Sequence, residues 1–258
     1  MNELFAWRRL GLLIRNDFIG GYRMYLNIGT VVFIIMALNA IPAAGFGQIR
    51  DRFYYTIFWG MLFWWGSVHA SLAFYDLLDK KMNESFLLLP ASTLEKTVAR
   101  YLYSSVFFVL HMLVFTTITA FIIEGVNMLL FGRYNELFNP FDPVVWKAIG
   151  LFILIQPIFF LGSAWFKRLR WFKTILALSA IGMLLGLLLL ITVLIFFGGS
   201  FHEIYILNPG GFNDLDVNIN MFRSTVLVLK ILFYGVVPPF CLIVTYLRVK
   251  ETQVSHGI

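Results

Sequence analysis

Six apolar stretches, each long enough to cross a bilayer and none containing Asp or Glu, constrain this chain more than anything else in it. They are Met24 to Ile41, Phe53 to Tyr75, Tyr101 to Ile123, Ala148 to Trp165, Thr174 to Phe197 and Ser224 to Tyr246. A helix of about 20 apolar residues spans the hydrocarbon core, and a backbone in lipid must satisfy its own hydrogen bonds, which a helix does. At 60% hydrophobic over 258 residues, the chain also holds more apolar surface than a soluble domain of that size could bury. The expected fold is an all-α integral membrane protein with six transmembrane helices.

Orientation follows from Lys and Arg, which collect on the cytoplasmic flanks of spans. With six spans both termini share a side, and that side carries fourteen of the twenty basic residues, among them Arg8, Arg9, Lys80, Lys96, Arg100, Arg170 and Arg248. The expectation is a multi-pass protein of the cell inner (cytoplasmic) membrane with both termini cytoplasmic. The net charge of +6 then reflects membrane topology, and nucleic acid is not an expected partner. Cys241 is the single cysteine, so no intrachain disulfide or cysteine-based metal site can form.

Ahead of the first span, Trp7, Leu10, Ile14 and Phe18 recur at spacings of three and four, with Arg8, Arg9, Arg15 and Asn16 mostly on the other side. This pattern predicts an interfacial amphipathic elbow helix over 1–23, apolar face in the acyl chains and arginines among phosphates. Gly20-Gly21 supplies a corner before the chain enters the bilayer. Residues 24–258 form the six-span domain, with a cytoplasmic loop at 76–100 and external loops at 124–147 and 198–223. Pro157 and Pro238-Pro239 remove backbone donors inside spans four and six, where they favour kinks.

Chemistry-bearing residues are few. Transporters driven by proton or sodium gradients place titratable groups in the membrane; here the intramembrane candidates are His69, His111 and Lys230. Lys230 can snorkel to the interface, and the two histidines lack a carboxylate or thiol to complete a metal site, so no metal is expected. Asp214, Asp216, Asn218 and Asn220 imitate a calcium loop, but Ile219 and Thr225 stand where such a loop needs Gly and Glu. No Gly-rich phosphate loop precedes a Lys-Ser or Lys-Thr. The chain is therefore not expected to be an enzyme or to hold a cofactor. Ser179, Gly182 and Gly186 make a small-residue face on span five, which suits close helix packing within the subunit or across a dimer.

The loop between spans two and three is the most specific segment. Solvated residues from Asp76 to Glu84 lead to Phe86-Leu87-Leu88-Leu89, four apolar residues at a water interface, and Pro90 ends the turn. Ser92 stands three residues before Glu95, the spacing of a capping box, so a helix is expected to start at Thr93 and run unbroken into span three. The segment is either a re-entry turn lying in the membrane surface or a lever whose apolar tip docks in a partner.

This order of parts resembles the permease subunits of type-2 ABC exporters. The likeness rests on Leu87-Leu88-Leu89-Pro90-Ala91-Ser92, then Glu95, Lys96 and Arg100, and covers about Asp76 to Tyr103; the remainder agrees in layout. Asn83-Glu84-Ser85 replaces the family's usual Glu-Gly-Thr-like run, and its Leu-Pro signature near span five is absent. The resemblance implies a separate cytoplasmic ABC ATPase, which brings the ATP and Mg and grips Phe86, Leu87, Leu88, Leu89, Pro90, Ser92, Glu95 and Lys96. It also implies a homo- or heterodimer of permeases paired through spans one and five. Two other readings stand beside it: a membrane scaffold recruiting a soluble partner without transport, and a membrane enzyme using His69 and His111.

Overall fold

The structure is a computed structural model that describes residues 5–47, 52–78, 90–207 and 219–256. These form α1 (Trp7–Gly45), α2 (Phe53–Ser71), the single turn α3 (Tyr75–Leu78), α4 (Thr93–Leu102), α5 (Phe108–Phe131), α6 (Pro143–Trp165), α7 (Arg170–Leu207) and α8 (Ile219–His256). A π-helical turn, Tyr103–Phe107, joins α4 to α5. Among the described residues there is no strand, and six helical runs are long and apolar enough to cross a membrane. The protein is an all-α, multi-pass membrane protein.

The helices start and stop where local chemistry dictates. Ser92 caps α4, accepting from the Glu95 amide at 3.2 Å while Glu95 accepts from the Ser92 amide at 2.8 Å, the reciprocal capping box the sequence predicts. Asp142 caps α6 by accepting from the Val144 amide at 2.8 Å, with Pro143 in the first turn, where its missing N–H costs nothing. Gly132 closes α5 in the left-handed region at φ 62°, which glycine adopts without penalty.

α6 sits at the centre of the packing, against α2 on one side and α8 on another, while α1 lies along α4 and α5. Close approaches are made at glycines. A Cβ on Gly66 of α2 would overlap the ring of Phe152 on α6, and one on Gly162 of α6 would overlap the Thr174 hydroxyl of α7. The main core joins Val32 and Met36 of α1, Phe58 and Leu62 of α2, Phe108 and Met112 of α5, and Phe152 of α6. α7 packs mainly on α6, and from Ser179 to Leu188 its residues are exposed.

Four expectations are corrected. α1 runs through Gly20-Gly21 as one helix of 39 residues, about 58 Å long, so the elbow segment and span one are not separated by a break. Gly21 serves instead as a contact: a Cβ there would collide with the Tyr103 hydroxyl. The external loop shrinks from 124–147 to 132–142, because α5 continues to Phe131 and α6 begins at Pro143. Of 198–223, only 208–218 lies between helices; those residues, with most of the calcium-like segment, lie outside the described residues. Lastly, α4 reaches α5 through the π turn, where the Ser104 and Ser105 hydroxyls bond the Tyr101 carbonyl at 3.3 and 2.6 Å and compete with the backbone for that acceptor.

Candidate functional site

The termini and the start of α4 meet at one end of the bundle, and Glu95 is their hub. Its side chain is 0% exposed. One oxygen accepts from the Ser92 amide at the start of α4, the other from the Ala6 amide at 2.6 Å and from Arg9 Nε at 3.2 Å. α1 has no side-chain cap and no acid in its own first turn. Glu95 therefore supplies, from 89 residues away, the negative charge that a helix N-terminus favours, and serves two helix starts at once. Thr93 adds a third element, donating to Gln253 of α8 at 2.5 Å.

Below this junction lies a second charged group. Arg100 of α4 gives Nη2 to Asp76 of α3 at 2.7 Å and approaches Asp17 of α1 through Nε at 3.3 Å. Arg170, at the start of α7, donates to the Phe166 carbonyl at 2.8 Å and to the Tyr75 carbonyl at 3.4 Å, with its guanidinium over the Tyr75 ring. A cleft of about 540 Å³ opens beside Asp17, Asp76 and Arg100, with His69, Tyr103 and Ser104 in its wall.

Deeper in the bundle, His69 and His111 meet through Tyr25 of α1. The Tyr25 hydroxyl and His69 Nε2 are 3.0 Å apart, His111 packs edge-on to the Tyr25 ring with centroids 4.8 Å apart, and His69 stacks on Phe108 at 5.2 Å. Gln156 of α6 donates to Ser104 at 2.8 Å. Among the described residues no three His, Cys, Asp or Glu side chains gather into a set that could hold a metal ion. This is a polar seam through a packed core, and it positions α1, α2, α5 and α6 relative to one another.

The opposite end holds a carboxylate that the span boundaries hid. Glu124 lies inside α5, 3% exposed, one residue past the expected end of span three. It accepts from the Tyr54 hydroxyl, from Asn127 at 3.0 Å, and from the Asn135 amide and side chain at 2.8 and 3.0 Å. Every one of its partners is a neutral donor, and together they fasten the 132–142 loop to the start of α2 and the end of α5.

The predicted coupling residues divide sharply. Phe86, Leu87, Leu88 and Leu89 lie outside the described residues. Pro90 is exposed and Ser92 half-buried, whereas Glu95 is buried and Lys96 is 4% exposed. Glu95 and Lys96, expected at a partner contact, are buried within the chain's own packing, and Glu95 holds the junction of α1 and α4. Ser179, Gly182 and Gly186 are all exposed, and beyond its own helix backbone neither glycine has an atom within 4 Å of where a Cβ would sit. Within the subunit that face packs on nothing described. Sequence reasoning missed Asp17, Asp76, Tyr25 and Glu124. Asp17 was readable in principle, being the one acid between Glu3 and Asp51 and lying in a helix rich in arginine.

No protein-family model, no curated protein and no solved structure matches this chain.

Proposed function

We propose that this chain is the transmembrane permease subunit of an ATP-driven, ABC-type exporter, coupled to a separate cytoplasmic ATPase through the loop between α3 and α4. The observation that carries the reading is the Glu95 junction. The helix that follows the apolar Phe86 to Leu89 tip begins at Thr93, and its first turn is tied to the N-terminus of α1 through Glu95 and to the C-terminal part of α8 through Gln253. From Thr93 the helical rod continues through the π turn to Phe131, about 58 Å along its axis. A push on the tip therefore displaces three spans together, which is how energy could enter without a gradient-driven carboxylate in the middle of the described bundle. The exposed Ser179, Gly182 and Gly186 face on α7 suits pairing of two such subunits.

The test is to purify the natively tagged protein from its own membranes in mild detergent and identify what accompanies it by mass spectrometry. A stoichiometric ATPase that is lost in Phe86→Asp while the permease remains folded supports the reading. A partner without a nucleotide-binding motif, or an ATPase that stays bound to Phe86→Asp, overturns it, and a non-nucleotide partner would favour a scaffold.

A further inference from the structure

From the cleft at the terminal end we infer that the protein holds a primary ammonium group between Asp17 and Asp76, borne either by a lipid head group or by a soluble amine. The inference does not depend on transport or on an ATPase. The cleft, about 540 Å³, falls within the range of about 300–1,000 Å³ typical of small-molecule sites. Its mouth is bordered by exposed Asn16 and Gly20 of α1, where the amphipathic stretch ends, and by exposed Leu72 just after α2, so it opens where head groups lie.

Charge selects the ligand. Two carboxylates share one guanidinium: Arg100 bonds Asp76 at 2.7 Å and reaches Asp17 only at 3.3 Å. The Asp17 side chain is 7% exposed and lines the cleft. That contact to Arg100 is its single polar partner among the described residues, so no described donor reaches its other oxygen. A buried carboxylate in this condition is costly unless a donor reaches it. Of the lining residues with a formal charge, Asp17 and Asp76 are acids and Arg100 is the one base, so the excess charge in the cleft is negative and favours a cation. A primary ammonium brings three N–H donors and one positive charge, enough to bond both carboxylates at once. A quaternary ammonium has the charge but no donor. Met24 and Leu72 in the cleft wall offer apolar surface to the carbon skeleton that follows the ammonium.

The experiment uses the full chain in nanodiscs of phosphatidylcholine and measures binding by isothermal titration. Dihexanoylphosphatidylethanolamine and free ethanolamine are the two primary-amine probes, and dihexanoylphosphatidylcholine is the quaternary control. Binding of the short-chain lipid with free ethanolamine at least about tenfold weaker assigns the site to a lipid head group; equal binding assigns it to a soluble amine, and either supports the inference. Asp17→Asn, which keeps shape and removes charge, is expected to weaken amine binding at least about tenfold, the scale of one charge-assisted hydrogen bond. Equal or tighter binding of the choline probe, no binding of either amine, or unchanged affinity in a folded Asp17→Asn protein would each overturn it. The choline comparison is made on the unsubstituted chain, so it decides the matter even where the variant fails to fold.

Discussion

Replacing Glu95 with Ala separates two accounts of the junction between α1 and α4, an ion pair or a shared helix cap. The ion-pair account rests on Arg9, whose side chain is 41% exposed. A pair with one arm in solvent is worth about 0–1 kcal/mol. The cap account rests on the Ser92 and Ala6 amides, donated to Glu95 at 2.8 and 2.6 Å. Each amide left without an acceptor costs about 1–3 kcal/mol, and toward the lower end here because both are only part-buried. Glu95→Ala should therefore cost about 2–4 kcal/mol locally, and Arg9→Ala about 1 kcal/mol or less. Glu95→Gln, with one carbonyl oxygen in place of two, should fall between. The assay is hydrogen–deuterium exchange of the segments around 5–12 and 90–97 in nanodiscs. A change of 2 kcal/mol raises exchange from the opened state about 30-fold, whereas Arg9→Ala should stay within about fivefold. If Arg9→Ala matches Glu95→Ala, the ion pair holds the junction and the cap argument fails; if Glu95→Ala leaves both segments protected, α1 is not anchored there at all.

Other consequences follow from the same packing. Glu124→Ala strands the donors of Tyr54, Asn127 and Asn135, so it should lower stability by about 3 kcal/mol or more and raise exchange across 132–142, read by thermal unfolding in detergent and by exchange mass spectrometry. Gly66→Ala forces a methyl into the Phe152 ring and should cost about 1–3 kcal/mol, lowering the unfolding midpoint. Gly182→Ile, placed where nothing beyond its own helix backbone lies within 4 Å of the new Cβ, should leave the monomer's midpoint unchanged and, on the proposal that this face pairs two subunits, abolish their cross-linking in membranes; a cross-linked dimer that persists would exclude that face as the seam.

The six spans were legible because hydrocarbon thickness and hydropathy act on each helix separately. The Ser92 to Glu95 box was legible because it is local, three residues apart and self-contained. What stayed hidden required knowing which helices touch. Asp17 and Arg100 are 83 positions apart in the sequence, and Glu95 reaches Ala6 across 89. A hydropathy window ends at the first carboxylate, so it stopped at Ile123 and assigned Glu124 to solvent. The protein instead buries Glu124 behind four neutral donors, and α5 continues to Phe131 because the carboxylate is satisfied there. Gly21 misled for the opposite reason. Its freedom of backbone suggested a corner, whereas its missing side chain is what the fold uses, making room for Tyr103.

Two of the buried carboxylates, Glu95 and Glu124, do the same physical work at opposite ends of one helical rod. Each lies within about two turns of an end of the run from Thr93 to Phe131 and each binds the backbone amide of a different segment, Ala6 at one end and Asn135 at the other. The rod is thus clamped at both ends and has its one irregular turn, Tyr103–Phe107, between them. A π turn holds one residue more than the α-helix around it and is where such a helix most readily changes register. Its neighbours are Gly21 of α1 and Gln156 of α6, through Tyr103 and Ser104. Motion applied at Thr93 would therefore be absorbed or passed on at that turn. Ser105→Ala, which removes the 2.6 Å bond to the Tyr101 carbonyl, should favour the plain α-helix there and shift the face of α5 relative to α4. Cysteine cross-linking between Gly21 and Tyr103 positions, unchanged by Ser105→Ala, would show that the π turn is fixed by packing and not by the hydroxyl.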